Sequence, residues 1–274
     1  MKKNKRVGYL IHELVTHPGV SYSSETFCTA LDIARSSLSE DLAAAREVIE
    51  EIGTGTIETL RGTGGGIRYL PSLNEEGFRR LQQELIRRTE DPQRILGGGY
   101  LYTSDFMYDS ELIRPMALYF AGCFRHAGAD YVVTVETKGI ALASQVAFML
   151  GLPLVIVRRE AKYSEGSTVS INYFSGSYDR IQKMSLAKRA VQPGGRAVII
   201  DDFMRGGGSS KGLAEILAEF DVEVIGTGVA IASKEPAKKK ITSYIPILWL
   251  DAIDEERRII TARPADYLNP SSLL

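Results

Sequence analysis

An unbroken apolar run, Val198, Ile199 and Ile200, delivers two adjacent carboxylates, Asp201 and Asp202, into a glycine-rich turn that opens a helix. β-Branched residues in such a run suit a strand covered on both faces, as in parallel sheets with helices on either side. Gly206, Gly207 and Gly208 let backbone amides converge on one anion at the helix start, and Ser209 and Ser210 add hydroxyl donors. Two carboxylates beside a phosphate repel it unless something lies between. A ribose donates its 2′ and 3′ hydroxyls to carboxylates while the amides hold its 5′-phosphate, so residues 198–210 read as a ribose-phosphate cradle. The plain alternative is a helix-capping aspartate on a tight turn. A nucleoside-triphosphate loop fits worse, because Lys211 is followed by Gly212 where that motif needs Ser or Thr.

The segment resembles the phosphoribosyl pyrophosphate (PRPP) motif of the type I phosphoribosyltransferases. That resemblance implies PRPP contacts from Asp201, Asp202, Phe203, Met204, Arg205, Gly206, Gly207, Gly208 and Ser209. A second piece, residues 132–140 (VVTVETKGI), runs a buried strand into Glu136, Thr137, Lys138 and Gly139, where that family places the short loop that meets the pyrophosphate. A third, residues 162–188, is rich in Ser, Gly and Tyr; it is either the mobile loop those enzymes close over the ligand or a surface hairpin. The resemblance puts Lys162 on the pyrophosphate side, with Arg158 a weaker candidate. Tyr102, with Tyr100 in a glycine-flanked YLY run, lines the site or packs in the core. One position departs from part of the family. Where hypoxanthine-type enzymes keep a carboxylate able to act as base, this chain has Arg205, and a cation cannot accept that proton. Binding is expected, turnover is not.

The chain has 274 residues, long for one domain, with 44% apolar and 24% charged residues, the balance of a soluble protein. Two cysteines, Cys28 and Cys123, fall in different predicted regions, and no long apolar stretch or cleavable signal stands out, so a reducing cytoplasm is expected. His12, His17 and His126 lack ligand spacing. No protein-held metal or required cofactor is expected; a magnesium ion would arrive with the pyrophosphate.

Residues 1–74 read differently from the rest. Val7, Leu10, Ile11 and Leu14 form a helical stripe over residues 6–16; Ser24 caps a helix over 25–31; a third begins near Arg35 with Leu38, Leu42, Ala45, Val48, Ile49 and Ile52 facing inward and Gly53 stopping it. Residues 56–60 and 66–70 are strand-like around a glycine-rich tip. Three helices and a glycine-tipped hairpin make a winged helix-turn-helix, whose third helix enters the DNA major groove. Arg35, Ser36, Ser37 and Ser39 stand at the end that would meet DNA. The segment carries eight basic against nine acidic residues, which on count alone argues against nucleic acid. Placement argues for it: Lys5 and Arg6, with Lys2 and Lys3, sit in a terminal arm, and Arg61 and Arg68 flank the wing tip. A winged helix used only for protein contacts is the alternative.

Residues 75–274 alternate helical and strand-like runs, the pattern of an α/β sheet whose ligands sit at the carboxyl ends of parallel strands. The helical run 75–88 is expected to pack the winged helix onto that sheet. Across RSSLSEDL, RILGGGYLY, TKGIALA, EGSTVSINY, RIQKMSLAKR and IIDDFMRGGG, the chain closely resembles the pur operon repressors of Gram-positive bacteria. The resemblance implies a homodimer that binds paired operator sequences of purine genes and releases them when PRPP occupies the second domain, with other purine nucleotides as competitors. The rival expectation is a purine phosphoribosyltransferase with an accessory amino-terminal domain. An RNA-binding attenuation protein on the same fold is disfavoured by the winged helix.

Overall fold

The computed structural model describes residues 1–60, 65–160, 166–175 and 180–269. Its first unit comprises α1 (Lys3–Thr16), α2 (Ser24–Leu31), α3 (Arg35–Ile52) and the antiparallel pair β1 (Gly55–Thr59) and β2 (Ile67–Pro71). Leu10, Leu14, Phe27, Leu38, Leu42, Ala45 and Ile49 close one core with Ile57, Ile67 and Tyr69 from the wing strands. This is a winged helix. The cap of α2 is Ser23 rather than Ser24, its hydroxyl accepting from the Thr26 amide at 3.1 Å. Helix α1 begins at Lys3, so most of the expected terminal arm is helical. Val48 and Ile52, read as inward, are 38% and 58% exposed; Val48 lies at the edge of the apolar stripe and Ile52 in the last turn.

Helix α4 (Glu75–Thr89) starts on Asn74, whose side chain accepts from the Gly77 amide, and carries Glu75 and Glu76 in its first turn and Arg87 and Arg88 in its last. Both ends suit the helix dipole. Its buried Phe78 stacks at 4.1 Å on Tyr119 of α5 (Ser110–Phe124). Gln82 donates to the carbonyls of Ile247 and Ala265 at 2.8 and 2.7 Å, fastening α4 to the far edge of the main sheet. The Asn74 amide donates to the Gly53 carbonyl, so α3 and α4 meet at one joint.

Beyond the short pair β3 (Ile95–Leu96) and β4 (Tyr100–Leu101), the chain builds β5 (Tyr131–Val135), α6 (Gly139–Leu150), β6 (Leu154–Val157), the hairpin β7 (Thr168–Ser175) and β8 (Arg180–Ala187), β9 (Arg196–Met204), α7 (Gly208–Ala218), β10 (Glu223–Ser233), β11 (Ile245–Asp254) and β12 (Ile259–Pro264). Among the described residues the main sheet has the order β12-β11-β10-β9-β5-β6, parallel except for β12. Alternate side chains face opposite layers, as the strand period requires. Val132, Val198 and Ile200 join the core under α5 and α6; Val133, Ile199 and Val135 join a second core with Leu213 and Ile216 of α7. Each fully buried aliphatic side chain contributes about 1.5–3 kcal/mol, which is why this run of apolar strands lies at the centre.

The third stretch is a hairpin in its described residues. Tyr173, Met184 and Leu186 are buried in the second core, and Arg158 pairs with Ser185 through both backbone groups, so its base is docked on the sheet unit.

Candidate functional site

Strands β5, β9, β10 and β11 run parallel, so their carboxyl ends converge on one edge. There they surround a cavity of about 470 Å³. Its acidic floor is Asp201 and Asp202, one flank is Glu136, Thr137 and Lys138, and the mouth carries Arg159, Arg205 and Ser209. Gly99, Tyr100 and Thr103 from the β3–β4 region and residues 250–253 from β11 supply the remaining wall.

Strand β9 extends four residues past the expected end at Ile200, so Asp201 pairs with Val229 and Phe203 with Ile231 inside the sheet. Asp201 is therefore buried. Burial first, and the adjacent Asp202 second, push its carboxyl well above the ordinary aspartate range. Burial also raises Asp202, against hydrogen bonding from Asp201 and the field of Lys138. The Asp202 amide donates to Asp201 Oδ1 at 3.0 Å, which fixes the first carboxylate. The two adjacent carboxyls, Asp201 buried and Asp202 half-buried, offer acceptor oxygens to hydroxyl donors in the cavity.

The glycine turn follows directly. Gly207 has φ of +75°, a conformation that side chains resist, and α7 starts at Gly208 with its first amides unpaired within the helix. That geometry admits an anion. On the facing side, Gly139 opens α6; a Cβ there would lie 2.8 Å from Asp201 Oδ1 and 2.7 Å from Thr134 Oγ1, so only glycine lets α6 approach the acidic pair. The Glu136–Thr137 peptide is cis. Glu136 accepts from the Arg159 amide at 2.7 Å, and Arg158 lies 3.4 Å from its other oxygen. Arg159 Nη1 donates to Gln182, which also receives the Tyr173 hydroxyl, linking the hairpin to the rim.

Thr137, Lys138, Asp201, Asp202, Phe203, Arg205 and Ser209 line the cavity, and Gly139, Gly206, Gly207 and Gly208 are not among its lining residues. Met204 and Tyr102 stand away from it, and Arg6 and Arg68 of the DNA set are committed to other partners. Met204 is 3% exposed and packs with Val229 and Ala232, outside the cavity lining. Tyr102 is 45% exposed and stands outside the lining, whereas Tyr100, two residues earlier, lies in it with the Arg205 guanidinium 5.9 Å from its ring centre. Arg6 is committed to Asp41 in a pair with Nε at 2.6 Å, so it does not present a free cation. Arg68 pairs with Glu58 across the wing at 3.0 Å, and both act electrostatically on Arg125 and His126 at the end of α5, facing the sheet unit rather than the wing tip. Lys162 and Arg61 lie outside the described residues. Lys5, Arg35, Ser36 and Ser39 are exposed and Ser37 is half-buried, all on the winged helix.

Sequence reading missed the β11 contribution. Its signal was available only through topology: a strand parallel to β10 must end at the same edge. Among the described residues no group of three His, Cys, Asp or Glu is placed to hold a metal. No described helix is long and apolar enough to cross a membrane.

Residues 2–71 match the family described as bacterial purine repressor, N-terminal, and residues 113–253 match the phosphoribosyl transferase domain. The chain is 38% identical over 267 residues to the purine biosynthesis transcriptional repressor of Bacillus subtilis, covering 97% of this chain and 94% of that protein. It is 35% identical over 269 residues to a purine biosynthesis transcriptional activator of Lactococcus lactis, covering 98% and 99%. The crystal structure of adenine phosphoribosyltransferase from Rhodothermus marinus superposes with a TM-score of 0.53 at 19% identity, covering 65% of this chain and all of that one, a likeness of fold.

Proposed function

The chain belongs to the family of bacterial purine biosynthesis regulators, and from that premise we propose that it is a transcriptional regulator of purine genes whose winged helix holds operator DNA and releases it when PRPP fills the sheet-edge cavity. The observation that carries the reading is the joining, in one chain, of the Asp201–Asp202 and Gly207–Ser209 cradle to a winged helix that packs on α5 and α6. In this reading the amides after Arg205 hold the 5′-phosphate, the acidic pair takes the ribose hydroxyls, and Thr137, Lys138 and Gly139 receive the pyrophosphate. Magnesium enters as the counter-ion of that pyrophosphate and is not held by a protein cage. Two copies bind as a homodimer on paired half-sites in the cytoplasm, since one winged helix reads only one half-site.

PRPP is bound here as an effector without turnover. Support comes from Arg205, which fills the position of a possible base with a cation, and from regulators at 35–38% identity over nearly the whole chain. Relatives of this kind include both a named repressor and a named activator, so the same switch serves either sign. We favour repression.

Allostery requires a difference in DNA affinity between liganded and free protein; a coupling of about 1–3 kcal/mol changes affinity roughly 5- to 150-fold. A gel-shift titration with purine-gene promoter DNA, with and without PRPP, tests the reading. PRPP lowers the bound fraction if it holds, and indifference to PRPP overturns it. Incubation with hypoxanthine, guanine, xanthine or adenine, PRPP and magnesium separates the rival: steady pyrophosphate release would make the chain a transferase.

A further inference from the structure

Lys239 lies in the segment after β10 and turns its ammonium back beneath the glycine turn. Its Nζ is 2.6 Å from the Arg205 carbonyl oxygen, 2.6 Å from that of Ser233 and 3.3 Å from that of Lys234. An ammonium has three protons and no acceptor, so its whole donor capacity is spent on main-chain oxygens. The next residue repeats the contact, the Lys240 amide donating to the Gly206 carbonyl at 2.9 Å. Ile241 and Lys240 also come within 3.3 and 3.4 Å of where a Gly207 Cβ would stand. Residues 239–241 therefore form the underside of the turn.

In a trans peptide the C=O and the following N–H point in opposite directions. Pinning the Arg205 carbonyl underneath sends the Gly206 N–H to the other side; pinning the Gly206 carbonyl does the same for the Gly207 N–H. Glycines have no side chain to enforce this by themselves. Ser233 and Arg205 both line the cavity, so the ammonium also ties the ends of the neighbouring strands β9 and β10 together across its mouth.

We propose that Lys239 is the positioning residue of the phosphate cradle, aiming the Gly206 and Gly207 amides at the 5′-phosphate without touching it. This rests on the reading of the cavity as the PRPP site. Partial burial lowers the pKa of Lys239, the Arg205 cation acting in the same direction and Glu235 opposing. Lys238 is exposed where Lys239 is half-buried, and both border a second groove with Lys211 and Lys240.

Isothermal titration of the full chain with PRPP, ribose 5-phosphate and pyrophosphate tests the assignment. Lys239→Met weakens ribose 5-phosphate and PRPP by the same factor, about tenfold or more, and leaves pyrophosphate unchanged. Lys239→Gln, which keeps two N–H donors, falls between. Lys238→Met removes one charge from the adjacent position and leaves all three affinities as they were. Unchanged ribose 5-phosphate binding in Lys239→Met overturns the assignment. So does an equal loss of pyrophosphate, which means general damage, or an equal loss in Lys238→Met, which means bulk charge. Should Lys239→Met not fold, Lys239→Gln is judged by the same criterion. If the unaltered chain binds none of the three ligands, the PRPP reading itself fails; if it binds them and the variants match it, only the role of Lys239 does.

Discussion

Arg6 clasps Asp41 with two nitrogens, Nε at 2.6 Å and Nη2 at 3.2 Å, and the Asp41 side chain is wholly buried between α1 and α3. The pair ties the first helix of the winged domain to the helix that would enter DNA. A buried carboxylate stripped of its partner keeps its desolvation cost and loses the compensating charge. Arg6→Ala is therefore expected to lower the thermal midpoint of the winged helix sharply, and Arg6→Met with Asp41→Leu to recover much of it. Calorimetry of the three proteins checks this. Arg6→Ala would weaken DNA binding as well, through unfolding rather than a lost phosphate contact, so its DNA affinity should return in the double variant.

The acidic pair makes the opposite trade. Both carboxyls have pKa values raised by burial, so folding favours their protonated forms. A raised carboxyl pKa contributes stability at pH below the ordinary aspartate range and loses it as pH rises through the folded value. At neutral pH the pair is a liability to the fold. Asp201→Asn with Asp202→Asn should raise the midpoint by a few degrees at pH 7.5, with the gain vanishing below about pH 4. The same variant should keep operator binding and lose its response to PRPP. A midpoint that falls at pH 7.5, or release that persists, contradicts the assignment.

How much of this was readable from the chain depends on whether neighbours in space were neighbours in sequence. The β5 and β6 strands and the glycine turn were legible because apolar period and turn chemistry act over a few residues. Met204 was misplaced because the cluster that buries it, with Val229 and Ala232 of β10, lies far along the chain. Lys239 was invisible, since nothing in KEPAKKK marks which lysine reaches a carbonyl 34 residues earlier in the chain. Arg6 was misread for the same reason. A cation near a terminus looks solvated until the fold brings Asp41 to it.

The junction between wing and sheet unit predicts a pH effect. Arg125 Nε donates to His126 Nε2 at 3.1 Å, which requires that ring nitrogen to be unprotonated. Partial burial first, then the Arg125 cation, lowers the His126 pKa, with Glu58 of the wing opposing. A lowered histidine pKa gives stability that is present above the ordinary value near about 6.5 and lost as pH falls through the folded one. Because His126 is exposed, the effect is small, below about 1 kcal/mol. His126→Gln keeps an acceptor and does not titrate. Its thermal midpoint should decline less than that of the unaltered chain between pH 7 and pH 5, both about the range in which histidine charges.

Arg35 opens α3 and is exposed beside Ser36, and the helix start bears no acidic residue in its first turn. An exposed guanidinium on a recognition helix holds either a base edge, in two parallel hydrogen bonds, or a phosphate, as a point charge. The two uses separate under substitution. Arg35→Ala should weaken operator binding about tenfold while leaving the affinity for PRPP unchanged, because the cavity lies in the other unit. If the contact is to phosphate, Arg35→Lys restores most of the affinity, and the alanine variant lowers the slope of log K against log salt by about one. With a base contact, lysine restores little and the lost affinity is confined to the cognate sequence. Fluorescence anisotropy on operator and scrambled duplexes across a salt series distinguishes them, and an alanine variant that binds both duplexes like the unaltered chain removes Arg35 from the DNA interface.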